Sequence, residues 1–176
     1  SLGGDVAGTS KGRCGPNVPA PSPAALAATW AGWSPAPVNT RFQTAQQAGL
    51  SAADVPRLTL QWALGFPDAT SAWSQPTVVS GVLYVGSQNG TVYAIDAKSG
   101  CVHWTYTSKA GVRTALVNGE RTVFFGDTGA NVYALDAENA ARLRDDLVDL
   151  FRGYVTPADG KVRWGREYLV TLATRV

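Results

Sequence analysis

Few residues of this 176-residue sequence are candidates for catalysis or metal binding. His103 is the only histidine, and it lies beside Trp104 with no second histidine and no cysteine at metal-ligand spacing. The sequence gives no basis for a Ser-His-Asp catalytic triad around His103. We therefore predict no catalytic residue and no metal ligand from the side-chain types alone.

Two aspartates, Asp96 and Asp136, follow the same short motif, V-Y-A-I-D in the first case and V-Y-A-L-D in the second. Their offset in the sequence is 136 − 96 = 40. An aspartate after a strand caps the backbone of the following turn. We therefore interpret both as structural residues of a repeat rather than as catalytic acids.

The repeat covers Val82–Gly100 and Val123–Asn139, and each copy contains a strand, a tight turn, a second strand and a further turn. The turns fall at Asn89-Gly90 and Thr128-Gly129, and apolar and polar residues roughly alternate between them, which is typical of β-hairpins. A third strand ends at Trp104. A period of about 40 residues with four short strands predicts a β-propeller blade.

The predicted fold is mainly β: a partial β-propeller of two four-stranded blades plus one inserted amphipathic helix. Eight blades of this size need roughly 320 residues, and closed propellers use about 4–8 blades. Unpaired sheet edges are therefore expected, and they are candidate surfaces for self-association.

Four segments follow from this pattern. Residues 1–45 are a Pro-, Gly- and Ala-rich arm with a tryptophan anchor, and residues 46–137 form the blades. Residues 138–158 are the inserted helix, and residues 159–176 are closing strands. The helix is predicted from apolar residues at helical spacing, which are Leu143, Leu147, Leu150, Phe151 and Tyr154. This stripe is a second candidate surface for self-association.

After the helix the repeat resumes at residues 159–164, and Trp164 follows Trp104 at an offset of 164 − 104 = 60, which indicates a 20-residue insertion. The helix and the strands after it also resemble the last elements of S-adenosylmethionine-dependent methyltransferases. The glycine-rich loop that such enzymes need is absent from this sequence. A composite chain with a foreign tail stays open as an alternative.

The innermost strands are predicted at residues 76–79 and 113–117. Gln75 and Arg113 then begin successive inner strands, at an offset of 113 − 75 = 38, with a longer hairpin in the second copy. The alternating segment Leu58–Trp62 is predicted to be the outer strand of a preceding blade.

The repeat resembles the blade motif of dehydrogenases that use pyrroloquinoline quinone (PQQ) and of related non-catalytic propellers. The motif G-x-[VL]-Y-A-[LI]-D-A, followed by a glycine and a tryptophan, carries the likeness. Upstream, residues 39–43, 48–67 and 72–79 resemble polyvinyl-alcohol-dehydrogenase-like quinoproteins. The resemblance covers residues from about Trp30 to Asn139.

The resemblance implies PQQ as the cofactor, with calcium as a candidate second ligand. It places Gln75, Arg113 and the neighbouring Thr114 at the channel face where quinoproteins hold PQQ. Arg113 suits a quinone bearing carboxylates, because a guanidinium binds a carboxylate through two N–H donors. The alternative for Arg113 is a channel-mouth charge paired with a structural carboxylate. The family's adjacent cysteine pair, its calcium-binding asparagine and its catalytic aspartate are not visible in this sequence.

Cys14 and Cys101 are the two cysteines of the chain. The resemblance implies a periplasmic or secreted location, where disulfides persist, and so favours a bond between them over two buried thiols. Net charge is +2 and charged residues are 16% of the sequence, with no basic cluster, which argues against nucleic acid as a partner. The sequence shows neither an apolar run long enough for a membrane span nor the pattern of a signal peptide.

Two classes of function therefore remain. The first is part of a PQQ-dependent alcohol dehydrogenase propeller that is inactive by itself and whose substrate is a small alcohol. The second is a non-catalytic propeller-like binding or scaffold module.

Overall fold

The computed structural model describes residues 12–21, 28–31, 34, 40–119, 121–142, 156–158 and 161–163. Its internal contacts divide the chain into two units, Ser1–Leu143 and Arg144–Val176. The described part consists mainly of strands in antiparallel sheets with few helical residues. This confirms the predicted class, a mainly β partial propeller.

The first sheet has five strands in the order β1-β2-β3-β4-β5. They are β1 Ala28–Ala31, β2 Thr77–Val79, β3 Val82–Gly86, β4 Thr91–Asp96 and β5 Val102–Thr107. Strands β2 to β5 are connected by short turns and pair in antiparallel fashion, and together they form the predicted four-stranded blade. Strand β1 adds a fifth strand beside β2, from a segment expected to be only an arm.

The second sheet has three strands in the order β6-β7-β8, at Val117–Asn118, Thr122–Gly126 and Val132–Asp136. Its register repeats that of the first sheet, because Thr122 pairs with Asp136 as Val82 pairs with Asp96. In the place of a fourth strand beside β8, Arg142 forms a single antiparallel bridge with Leu135. Residues 138–142 thus form a turn and a bridge, and the predicted start of the inserted helix at residue 138 falls inside that turn.

The remaining elements are short. Helix α1 is Ala45–Ala48, and a 3-10 turn covers Val55–Arg57. In the second unit, β9 Thr156–Ala158 and β10 Lys161–Arg163 pair as a hairpin. The apolar stripe of the predicted helix lies outside the described residues. None of the helices that the structure describes is long and apolar enough to cross a membrane.

The predicted strand at Leu58–Trp62 is wrong, since the segment has no strand assignment. Apolar and polar residues do alternate in this segment, but none of the described strands pairs with it. Leu58 and Leu60 remain 59% and 80% exposed.

The main core lies between the two sheets. Alternate residues of β3 and β4 face it, including Tyr84 and Val92, and the second sheet contributes Val123, Phe125 and Tyr133. Phe125 and Tyr133 stack with ring centroids 4.7 Å apart. Burying side chains of this size contributes about 1.5–3 kcal/mol each, so the apolar contacts between the two sheets hold one blade on the next.

The opposite face of the first sheet is covered by Trp62, Leu64 and Phe66, which pack on Tyr93 and Ile95. The indole N–H of Trp62 donates to the carbonyl oxygen of Ala97 at 3.0 Å.

One blade later the same bond recurs, with the Trp104 indole N–H donating to the Ala137 carbonyl oxygen at 2.9 Å. Both tryptophans therefore pack between successive units. Trp164 lies outside the described residues.

Candidate functional site

The three predicted site residues lie in two loops, one before β2 and the other before β6. Gln75 is in the first loop, and Arg113 and Thr114 are in the second. Hydrogen bonds to the backbone show which residues of the two loops are equivalent in the repeat.

Ser74 and Thr114 make equivalent contacts at a sequence offset of 114 − 74 = 40. The Ser74 hydroxyl accepts from the N–H of Gly86 at 3.1 Å, and the Thr114 hydroxyl accepts from the N–H of Gly126 at 3.2 Å. The repeat therefore equates Arg113 with Trp73, and the predicted equivalence of Gln75 and Arg113 is wrong.

The reason lies in the hairpin that follows each loop. Val79 pairs with Val82 across Ser80 and Gly81. In the second copy the N–H of Gly119 donates to the Thr122 carbonyl oxygen at 2.7 Å, so this hairpin has the same length as the first. The inner strands keep the same offset as the rest of the repeat.

The backbone on both sides of Arg113 is held firmly. Val112 is fully buried, and its N–H donates to the Ser87 carbonyl oxygen at 2.9 Å. Gly86 lies against Val112 so closely that a Cβ there would be 2.4 Å from a Val112 methyl carbon. The Thr114 carbonyl oxygen accepts from the Ser74 hydroxyl at 2.7 Å.

The side chain of Arg113 is exposed, and its guanidinium carbon lies 4.5 Å from the ring centroid of Trp73. Trp73 is itself 45% exposed. The two ion pairs recorded among the described residues are Arg57–Asp54 and Arg121–Asp136, and neither involves Arg113. Within the described part of the chain, Arg113 therefore stacks on an aromatic ring and makes no ion pair.

Gln75 contacts the main chain of the same tryptophan, because its side-chain amide N–H donates to the Trp73 carbonyl oxygen at 3.3 Å. The Thr114 hydroxyl is already engaged, accepting from the Gly126 N–H and donating to the Gly126 carbonyl oxygen at 3.2 Å. Gln75 and Arg113 thus both contact Trp73, whereas the Thr114 side chain makes hydrogen bonds to the backbone of Gly126.

A carboxylate network supports the loop that carries Arg113. Asp127 accepts from the Tyr133 hydroxyl at 2.7 Å and from the Ala110 N–H at 3.2 Å. The Tyr133 hydroxyl in turn accepts from the Lys109 N–H at 2.9 Å. Burial would raise the pKa of the Asp127 carboxyl, but hydrogen bonds from Tyr133, Asn131 and the turn backbone outweigh it and lower that pKa to about 2.

The two repeated aspartates cap turns, as predicted. Asp96 accepts from the N–H and hydroxyl of Ser99 at 2.6 Å, and these hydrogen bonds lower its pKa. Asp136 accepts from the backbone N–H groups of Glu138 and Asn139 at 2.9 and 3.1 Å.

His103 lies away from these loops, in an open cleft of about 520 Å³ that Pro19, Pro21 and Lys98 also line. Burial lowers the pKa of its imidazole, opposed by the nearby Asp96 carboxylate. In the part of the chain that the structure describes, no three histidine, cysteine or acidic residues converge as a metal site.

Cys14 and Cys101 form the predicted disulfide, with Cα atoms 4.9 Å apart. The segment around Cys14 lies along β5: its N–H donates to the Val102 carbonyl oxygen at 3.0 Å, and the Val102 N–H donates to the Gly12 carbonyl oxygen at 2.8 Å. The arm thus covers the outer edge of the first blade.

Residues 46–146 match the PQQ_2 family model, which is described as outer membrane protein assembly factor BamB. The chain belongs to this family. The PQQ_2 match takes in strands β2 to β8, the loops that carry Trp73 and Arg113, and the turn that ends at Arg142.

Curated relatives include the polyvinylalcohol dehydrogenase of Sphingopyxis sp. (strain 113P3), 37% identical over 158 residues and 81% of this chain. The polyvinylalcohol dehydrogenase of Pseudomonas sp. is 37% identical over 128 residues and 68% of the chain. The crystal structure of the quinohemoprotein alcohol dehydrogenase from Comamonas testosteroni superposes with a TM-score of 0.57 and 25% identity, over 65% of this chain and 18% of that one.

These matches confirm the resemblance to PQQ-dependent quinoprotein propellers. The PQQ_2 chain spans 24% and 19% of the lengths of the two polyvinylalcohol dehydrogenases.

Sequence reasoning missed Trp73. The signal is present, because Trp73 and Arg113 have the repeat's own offset, 113 − 73 = 40. Aligning Gln75 with Arg113 obscures it.

Proposed function

We propose that this chain is the N-terminal, PQQ-binding part of an alcohol-oxidising quinoprotein dehydrogenase, and that Arg113 binds a carboxylate of PQQ. One observation carries this proposal: the exposed Arg113 guanidinium stacks on Trp73 and is in neither ion pair of the described residues. A charge-paired structural arginine would have a carboxylate beside it.

The residues present fit such a ligand. A guanidinium stacked on a ring keeps its N–H donors in the plane of the stack, where a carboxylate can accept two of them. The Gln75 amide lies beside the same tryptophan, and Thr114 holds the loop through Gly126. When bound, PQQ would supply the acceptor for the hydride of the alcohol carbon, and the hydroxyl proton would pass to a base.

The role of these residues is binding and orientation. Hydrogen bonds of Val112 and Thr114 hold the main chain on either side of Arg113. The guanidinium is therefore carried by a backbone segment that is fixed to the neighbouring strands. The described residues offer no converging metal ligands, and we propose that calcium, together with the catalytic base, is held by other parts of the complete enzyme. The chain is therefore proposed to be inactive alone.

We further propose a periplasmic or secreted location and a small alcohol as the substrate. The disulfide supports the location, because such bonds persist in oxidising compartments. The relatives named as alcohol dehydrogenases support an alcohol as the substrate. We propose self-association through open sheet edges or through the predicted inserted helix as the route by which the chain buries its remaining apolar surface.

The experiment is to equilibrate the oxidised 176-residue chain with PQQ and calcium, and to measure the quinone absorbance retained by equilibrium dialysis. Arg113→Ala should weaken binding by roughly 1.5–3 kcal/mol, which is about 10- to 150-fold in Kd. Arg57→Ala is the matched control, since Arg57 is an exposed arginine of the 3-10 turn.

Absence of PQQ binding by the folded parent would refute the cofactor role. Equal affinity of the parent and Arg113→Ala would refute the role of that residue.

The second candidate is a non-catalytic binding or scaffold module. It is favoured by the description of the matching family model as an outer membrane protein assembly factor. It predicts a correctly folded chain, with its disulfide formed, that retains no quinone.

A further inference from the structure

Trp73 and Arg113 face each other because of the residues that follow them. Ser74 donates its hydroxyl to the Thr114 carbonyl oxygen at 2.7 Å, which ties two equivalent loop positions of successive repeats directly together. Trp73 and Arg113, which precede Ser74 and Thr114, therefore lie close together where the two repeats meet. The guanidinium carbon of Arg113 lies 4.5 Å from the Trp73 ring centroid as a result.

Burial does not account for the placement of Trp73. The side chain is 45% exposed and belongs to neither hydrophobic cluster of the described residues. An indole that packs for stability is normally covered, as Trp104 is at 6% exposure. Among the residues that the structure describes, the ring of Trp73 contacts the Arg113 guanidinium.

An unrestrained arginine side chain samples many rotamers, and fixing them when a ligand binds costs free energy. Stacking on an indole removes part of that freedom in advance while leaving the in-plane N–H groups available. The Gln75 amide donates to the Trp73 carbonyl oxygen and so also restrains the tryptophan main chain.

We propose that Trp73 is a positioning residue that holds the Arg113 guanidinium in the orientation that binds a carboxylate of a planar aromatic ligand. This inference rests on the proposed function, in which the ligand is PQQ. Trp73 acts through Arg113, so its contribution exists only while the arginine is present.

The test is a double-mutant cycle on PQQ affinity, measured by equilibrium dialysis with the oxidised full chain. Trp73→Leu keeps an apolar side chain but removes the aromatic face, and it should weaken binding about two- to five-fold, the range of an exposed cation–π contact. Trp73→Phe restores an aromatic face and should recover part of that loss. In the Arg113→Ala background, Trp73→Leu should have no further effect.

A readout without PQQ is the NMR signal of the Arg113 side-chain Nε–H. The indole ring current should shift it in the parent, and Trp73→Leu should return it to the position of an unstacked arginine. Urea unfolding of each variant controls for loss of fold.

The outcomes separate the two proposals. If the parent does not bind PQQ, the proposed function fails and the inference falls with it. If the parent binds PQQ and Arg113→Ala weakens binding, the inference alone is overturned by unchanged affinity of Trp73→Leu or by additive effects in the double mutant.

Discussion

The Ser74 hydroxyl links two blades, since it accepts from the Gly86 N–H within its own sheet and donates to the Thr114 carbonyl oxygen of the next repeat. Ser74 is 5% exposed, so water does not readily replace either bond. The pair shows how the repeat places equivalent residues in contact at the junction that carries Arg113.

Ser74→Ala should lower the free energy of unfolding by about 1–3 kcal/mol, because it leaves the buried Gly86 N–H without its acceptor. Thr114→Ala is the matched variant, with the same bond to a glycine N–H at an exposed position. It should cost less, since water can take over the bond there. Urea unfolding of both variants measures the difference, and equal losses would contradict this account.

Loss of the disulfide should destabilise the first unit. The bond between Cys14 and Cys101 closes a loop across a sequence separation of 87 residues, and chain-entropy models assign about 4–5 kcal/mol to a loop of this size. The double variant Cys14→Ser/Cys101→Ser should therefore unfold at a lower urea concentration than the oxidised parent. Reduction of the parent should produce a similar shift, whereas reduction of the double variant should produce none.

Gly100 and Ala140 provide a matched pair of turn positions, at the repeat offset of 140 − 100 = 40. Both adopt left-handed backbone angles, with φ of +75° and +62°. Ala140→Gly should stabilise the chain by roughly 1 kcal/mol or less, because the left-handed penalty of alanine exceeds the entropic cost of glycine.

The reverse change, Gly100→Ala, should destabilise the chain, since its Cβ would lie 2.6 Å from the Trp62 ring. Thermal unfolding of the two variants checks the opposite signs. Shifts in the same direction would show that the two turns are not equivalent.

The Asp127 network should contribute to acid sensitivity. The folded-state pKa of Asp127 is about 2, below the ordinary value of 3.8, so its stabilising contribution is present above about pH 4 and lost as pH falls through about 2. Asp127→Asn should therefore lose less stability than the parent between pH 5 and pH 2.5.

Glu138→Gln is the control for this prediction, because it removes an exposed carboxylate near the end of β8. Urea midpoints at the two pH values give the comparison. An acid-induced loss in Asp127→Asn as large as that in the parent would contradict the assignment.

Local sequence was sufficient to specify the blade pattern, because hairpin formation depends on alternation and turn chemistry. Asp96 and Asp136 are predicted as turn caps from their neighbours alone. The bond between Cys14 and Cys101 is also predicted, since two cysteines permit one intramolecular pairing and the family resemblance favours an oxidising compartment.

Contacts between distant segments account for what the sequence pattern left open or predicted wrongly. Leu58–Trp62 has the pattern of a strand, yet a strand needs a neighbour for its backbone N–H and C=O groups, and the described residues provide none. The correspondence of Trp73 with Arg113 follows from which hydroxyl meets which glycine N–H, at Ser74 and Thr114. Only the packing of one repeat on the next brings the indole and the guanidinium together, because they lie one full repeat apart along the chain.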